Sequence, residues 1–127
     1  MNLTPLQAHV LAYYLDHSAK DFSMVGRWFA RSYLVESFAD KMSVDVRPFG
    51  KIAQGAAVPA AEHYVDHMIA NGGFENKEQK FGGSMHQHEA VGFKAALDRL
   101  KAADPVLAEA RAGGDQFWTA RFAELTA

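Results

Sequence analysis

The feature that most constrains the fold is a helical spacing of apolar residues that recurs along the chain. The first such segment comprises Leu3, Leu6, Val10, Tyr13 and Tyr14. Apolar residues three and four positions apart lie along one side of a helix, which must be buried against another element. Strand-like alternation is confined to residues 44–46, in a segment that proline and glycine interrupt. The pattern therefore predicts helices packed on helices.

Capping residues set the expected boundaries of these helices. Asp, Ser and Thr cap helix starts, proline favours the first helical turn, and glycine ends helices. We expect six helices: from Thr4 to about His17, from Asp21 to about Met42, from Pro59 to about Ala70, from Ser84 to about Ala103, from Asp104 to Gly113, and after Asp115. Residues 43–58 are expected to form a loop that contains a helical turn near 49–55.

The second of these segments is apolar around most of its circumference. A helix with this pattern is typical of the centre of a bundle, where several neighbours cover it. No repeat and no low-complexity linker divides the chain. The sequence predicts one all-α domain spanning 1–127, a bundle of five or six helices with one long, largely buried central helix.

Composition narrows the classes of function. Apolar residues make up 49% of the chain and charged residues 22%, as in ordinary globular proteins. The net charge of −2, without a dense basic stretch, argues against nucleic-acid binding. The absence of cysteine excludes disulfides and thiolate ligands. No apolar run approaches the ~18 residues of a membrane span, and no positive leader precedes the first apolar segment, so we expect a cytoplasmic protein without membrane contact.

A first candidate site consists of imidazoles and carboxylates. His63 and His67 are four residues apart and lie on one helix face, with Asp66 beside them. These groups would ligate a divalent transition metal such as zinc, and His86 or Glu89 from a second helix would complete the coordination sphere. The alternative is that His63 and His67 are solvated and that His86 simply begins a helix.

A second candidate site lies just before the same helix. Lys77 and Lys80 precede Gly83 and Ser84. Free backbone N–H groups at a helix start favour an anion, so a phosphate or carboxylate would bind there. The alternative is a charged loop that ends in an ordinary helix cap.

A third candidate site involves two charges within the predicted central helix. Arg31 and Glu36 are five residues apart, so they do not form a good pair within the helix. Each would need a partner or a cavity, and a pocket around Arg31 would bind a small carboxylate. The alternative is that Arg31 reaches solvent along its own aliphatic chain.

The chain lacks the sequence motifs of common catalytic sites, and this favours a binding function over a catalytic one. No Gly-x-Ser-x-Gly nucleophile motif and no complete metal-ligand motif occurs in the chain. We therefore expect a small soluble helical binding or interaction protein without evident catalytic machinery, whose partner is a second copy in a homodimer or another protein. The alternative is a metal-dependent or carboxylate-binding enzyme with a His/Asp site between the helices at 59–70 and 85–103.

Overall fold

A computed structural model of the chain describes residues 2–19, 28–76 and 88–127. Within these ranges the chain is helical apart from one two-residue strand pairing, so the predicted all-α bundle is confirmed. No helix in the described ranges is both long and apolar enough to cross a membrane. The elements are α1 (Pro5–His17), β1 (Trp28–Phe29), α2 (Arg31–Asp45), a 3-10 turn (Arg47–Phe49), α3 (Lys51–Gln54), α4 (Ala57–Ala70), β2 (Glu75–Asn76), α5 (His88–Ala103), α6 (Pro105–Gly113) and α7 (Phe117–Leu125).

Local capping chemistry produces several helix starts as predicted. The Thr4 hydroxyl accepts a hydrogen bond from the backbone N–H of Gln7, and the Gln7 side chain accepts one from the backbone N–H of Thr4. This reciprocal pair begins α1. Asp104 caps α6 ahead of Pro105. The predicted cap of the last helix is wrong: α7 follows Gln116, which makes no side-chain capping bond, rather than Asp115.

The predicted second helix has different boundaries. Residues 28–29 are extended and pair in parallel with residues 75–76, and α2 begins only at Arg31 and continues to Asp45. The predicted cap Asp21 lies outside the described residues. The pairing supplies the backbone hydrogen bonds that a helix would otherwise make, so a distant part of the chain overrides the local apolar pattern. The turn predicted near 49–55 is present as the 3-10 turn and α3.

The centre of the bundle is formed by α1 and α4 rather than by the helix predicted over 21–42. In α2 only one stripe is buried, and Tyr33 and Val44 are about half or more exposed. By contrast, α4 packs against α1, α2 and α5, whereas α1 packs against α2, α4, α6 and α7. The fully buried residues of α4 include Ala60, Ala61, Tyr64, Val65 and Met68.

Two aromatic clusters cover opposite sides of α1. In the first, the Tyr14 ring lies 5.4 Å from the Tyr64 ring, and Phe38 lies 4.8 Å from Tyr64, measured between centroids. In the second, His9 packs against Trp118 and Phe122 of α7 and is 1% exposed. The His9 Nε2–H donates to the backbone oxygen of Trp118 at 3.2 Å, and burial lowers the pKa of His9. The imidazole is therefore an uncharged member of the core.

A close backbone approach sets the position of α5 against the end of α4. Gly72 ends α4 with φ +78°, a conformation that favours glycine. A Cβ atom added to Gly73 would lie 2.9 Å from the Cβ of Ala96, and one added to Gly92 would overlap the carbonyl oxygen of Gly72. The two elements thus meet where side chains are smallest.

Replacement of Gly92 by alanine should therefore destabilise the fold. Alanine is the better helix former by about 1 kcal/mol. The added methyl group, however, meets backbone that cannot rotate away, and overpacking of this kind costs about 1–3 kcal/mol. Thermal unfolding followed by circular dichroism should show a midpoint several degrees lower.

Gly55→Ala is the matched control. Gly55 has ordinary helical backbone angles, and an added Cβ would lie 3.4 Å from the Ile52 oxygen, a normal contact. Its midpoint should stay unchanged or rise slightly, because alanine restricts the unfolded chain. A Gly92→Ala protein as stable as the wild type would contradict the close approach of α5 to Gly72.

Candidate functional site

A groove runs beside α4, between the start of α1 and the junction of α5 with α6. It consists of two adjoining cavities of about 340 Å³ and 290 Å³, which share Leu3, His63 and His67. We call it the His63 groove. Its outer cavity is also lined by Pro59, Glu62, Asp66, Ala70 and Asn71, and its inner cavity by Ala8, Leu11, Leu100, Ala103, Asp104, Pro105 and Val106.

The periodicity of α4 brings His63 into this groove. Tyr64, Val65 and Met68 turn into the core, so the positions before and between them lie at its edge. His63 is half-buried, and neither of its ring nitrogens makes a hydrogen bond within the described residues. Burial, and next the neighbouring imidazole of His67, lower the pKa of His63 below its ordinary value of 6.5. The imidazole is therefore neutral at pH 7 and offers one donor and one acceptor.

Both ring nitrogens of His67 form hydrogen bonds within the protein. Its Nε2 lies 3.2 Å from the backbone oxygen of Ala96, and the side-chain amide of Asn71 lies 3.4 Å from its Nδ1. Because a carbonyl only accepts, we assign the proton to Nε2, which leaves Nδ1 to accept from Asn71. Both nitrogens are then occupied, and His67 joins α4 to α5.

Asp66 is likewise held by a protein partner. The Arg31 Nε and Nη2 atoms donate to its two carboxylate oxygens at 2.6 Å and 2.9 Å, and Glu62 lies 4.0 Å from Arg31. These hydrogen bonds lower the pKa of Asp66. Arg31 thus connects α2 to α4 through a bidentate ion pair. The groups are partly exposed, so the pair stabilises the fold by no more than ~1 kcal/mol.

Asp104 contributes a carboxylate to the inner cavity. Its Oδ1 accepts from the backbone N–H groups of Val106 and Leu107, at 2.8 Å and 3.1 Å, and thereby caps α6. The other carboxylate oxygen makes no hydrogen bond within the described part of the chain. Burial raises the pKa of Asp104, and its negative charge in turn raises the pKa of His63 slightly. Asp104 was expected from the sequence only as a cap, because nothing in its neighbourhood indicates that it shares a cavity with His63.

The metal site predicted from the sequence includes three side chains that the structure describes, and one of them has ligating atoms without a protein partner. Of His63, Asp66 and His67, only His63 lacks a protein partner for its ligating atoms. In the described ranges no three His, Asp or Glu side chains come together in a way that would hold a metal ion. The side chains of His86 and Glu89 lie outside the described residues, so the complete predicted ligand set stays a prediction.

The other two predicted sites are placed only in part. Lys77, Lys80, Gly83 and Ser84 all lie outside the described ranges. Arg31 and Glu36 are both on α2, but Glu36 is exposed, whereas Arg31 binds Asp66. The guanidinium that was expected to hold a small carboxylate ligand therefore holds a carboxylate of α4.

The electrostatics of His63 are open to direct measurement. In a two-dimensional NMR titration of the imidazole nitrogens, His63 should have a midpoint below 6.5. Asp104→Asn should lower that midpoint further, because the substitution removes a negative charge that favours the imidazolium. Asparagine also caps helices well, so α6 should remain intact.

Asp98→Asn, an exposed carboxylate on α5 that pairs with Lys94, is the control and should leave the His63 midpoint unchanged. A His63 midpoint at or above 6.5 would contradict the half-buried position of this imidazole in solution.

Comparisons with known proteins give no information about this site. The chain matches no protein-family model, no curated protein and no solved structure. The physical properties of the His63 groove are therefore the basis for a functional proposal. Those properties are a neutral half-buried imidazole, an adjacent carboxylate and an apolar inner wall.

Proposed function

We propose that this protein is a binding protein that holds a small, uncharged, largely apolar molecule in the His63 groove. The observation that carries the proposal is a half-buried, neutral imidazole in a groove with an apolar inner wall, with neither ring nitrogen hydrogen-bonded within the described part of the chain. Ligand sites combine an apolar lining with a few polar groups that orient the ligand, in clefts of about 300–1,000 Å³. A titratable group with a shifted pKa in a cleft also supports a functional role.

The charges around the groove argue against an anionic ligand, and the acceptor atoms there favour a ligand that has a hydrogen-bond donor. Glu62, Asp66 and Asp104 would repel an anion, and Arg31, a cation beside the groove, is paired with Asp66. The free oxygen of Asp104 and one nitrogen of His63 both accept hydrogen bonds. A hydroxyl or amide group would therefore be held at His63, with the hydrocarbon part against Leu11, Leu100 and Val106.

The lining also supports binding rather than turnover. Among the described residues that line the groove there is no serine, threonine, cysteine or lysine to act as a nucleophile. His63 would act as a base only toward a ligand that carries its own acidic proton. The expected role is thus recognition of a hydroxyl or amide group.

Benzyl alcohol is a suitable probe of this proposal, with benzoate and benzylammonium as charged counterparts of similar size. In titrations followed by amide NMR shifts, benzyl alcohol should bind more tightly than benzoate, with shifts at α4 and at the α5–α6 junction. His63→Phe should weaken binding roughly three- to ten-fold, which is the effect of losing one hydrogen bond in a ligand site.

Ala8→Leu and Ala95→Leu form a matched pair for the same titration. Ala8 lines the inner cavity, whereas Ala95 is exposed on α5. The Ala8→Leu protein should lose binding because the larger side chain fills the cavity, and the Ala95→Leu protein should bind as the wild type does. Equal binding by both variants, or tighter binding of benzoate than of benzyl alcohol, would refute the proposal.

The metal-dependent alternative makes a different prediction. A ligand at about a hundred times its dissociation constant stabilises a protein by roughly 2.7 kcal/mol, which amounts to several degrees in a domain of this size. Because Arg31 holds Asp66 and both His67 nitrogens are bonded, we expect zinc, nickel, manganese and iron(II) each to leave the thermal midpoint unchanged relative to chelator. A rise of several degrees that His67→Ala abolishes would instead favour an enzyme with a histidine metal site.

A further inference from the structure

A second cavity lies between the end of α1 and the last turns of α2. It has a volume of about 370 Å³ and shares no lining residue with the His63 groove. Its walls are formed by Tyr14, Ser18, Asp40, Lys41, Val44 and Asp45. It is therefore a separate place where a ligand would contact the protein.

The floor of this cavity contains a buried tyrosine whose polar end is not well satisfied. Tyr14 is 3% exposed, and its hydroxyl interacts with that of Tyr64. The Tyr64 oxygen, however, has no hydrogen-bond partner of regular geometry within the described residues. Tyr14 likewise makes no regular side-chain hydrogen bond there. Buried hydroxyls are nearly always hydrogen-bonded in native proteins. Tyr14 lines the cavity, so its oxygen is the one that could accept a hydrogen bond from a bound molecule.

Among the described residues that line the cavity, acidic side chains outnumber basic ones. Asp40 and Asp45 contribute two carboxylates, and Lys41 contributes one ammonium. Within the described part of the chain neither Asp40 nor Lys41 forms an ion pair, and Asp45 accepts only a hydrogen bond from the Ser18 hydroxyl, at 2.5 Å. Asp45 is close enough to the floor that its charge, after burial, is the next cause of the raised pKa of Tyr14. Among the described lining residues, two carboxylates and one ammonium thus surround a buried phenol.

We propose that this cavity binds a small organic cation, namely a primary alkylammonium. The ammonium group would donate to the Tyr14 oxygen in the field of the Asp40 and Asp45 carboxylates, and the hydrocarbon chain would lie against Val44. A single ammonium is attracted by the two carboxylates of the described lining, whereas a carboxylate or phosphate would be repelled by them. A bare metal ion fits less well, because no three His, Asp or Glu side chains in the described ranges converge on one point.

The test titrates the full chain with n-butylammonium. Binding is monitored by amide NMR shifts, which also give the dissociation constant. Uncharged 1-butanol and sodium chloride at equal ionic strength are measured in parallel. We expect saturable amide shifts at Ser18, Asp40 and Asp45 with butylammonium. Neither 1-butanol nor sodium chloride should produce these shifts. Asp40→Asn should weaken binding roughly five-fold, the effect of removing one exposed charge near the ligand.

Asp98→Asn is the matched control, because Asp98 is also an exposed helical carboxylate but lies on α5. It should bind butylammonium with the affinity of the wild type, and Tyr14→Phe should bind it more weakly. His63→Phe should leave this affinity unchanged, which separates the second cavity from the proposed function of the His63 groove. Equal shifts with 1-butanol, shifts reproduced by sodium chloride, or unchanged affinity in both Asp40→Asn and Tyr14→Phe would overturn the proposal.

Discussion

Burial of α1 on two sides is the constraint on which the rest of the structure depends. One side packs Tyr14 against Phe38 and Tyr64, which attaches α2 and α4, and the other packs His9 against Trp118 and Phe122, which attaches α7. Aromatic side chains bury 150–250 Å² each, so these clusters supply a large share of the apolar area removed from water. The histidine in the second cluster is accommodated because it is neutral and donates to the Trp118 carbonyl.

Both candidate ligand sites lie at the edges of this arrangement. The His63 groove forms where α5 approaches α4 closely through Gly72 and Gly92, and where His67 reaches the Ala96 carbonyl. The second cavity forms where α2 extends past the end of α1, with Tyr14 of the aromatic core as its floor. At the second cavity the core residue Tyr14 borders the cavity, whereas His63 lies at the edge of the core. Small rearrangements of the bundle would therefore change the two sites as well as the stability.

The charged residues contribute mainly to the shape and selectivity of these surfaces. Arg31 and Asp66 join α2 to α4, and their mutual neutralisation leaves the remaining carboxylates to set the local potential. Among the described residues, carboxylates outnumber cations in the lining of both the His63 groove and the second cavity. His63 itself is tuned by opposing effects, since burial lowers its pKa and Asp104 raises it. The resulting neutral imidazole offers one hydrogen-bond donor and one acceptor without carrying charge.

The sequence by itself determined the helical class, the capping box at Thr4, the Asp104 cap and the glycine end of α4, because these depend on residues a few positions apart. It also identified His63 and His67 as neighbours on one face of a helix. Only the tertiary structure decided that residues 28–29 are extended, that α1 and α4 form the centre, and that Arg31 binds Asp66. It also decided that Asp104 shares a cavity with His63 and that His67 is already bonded. These outcomes depend on pairings between segments that are distant in the chain, and local periodicity contains no information about them.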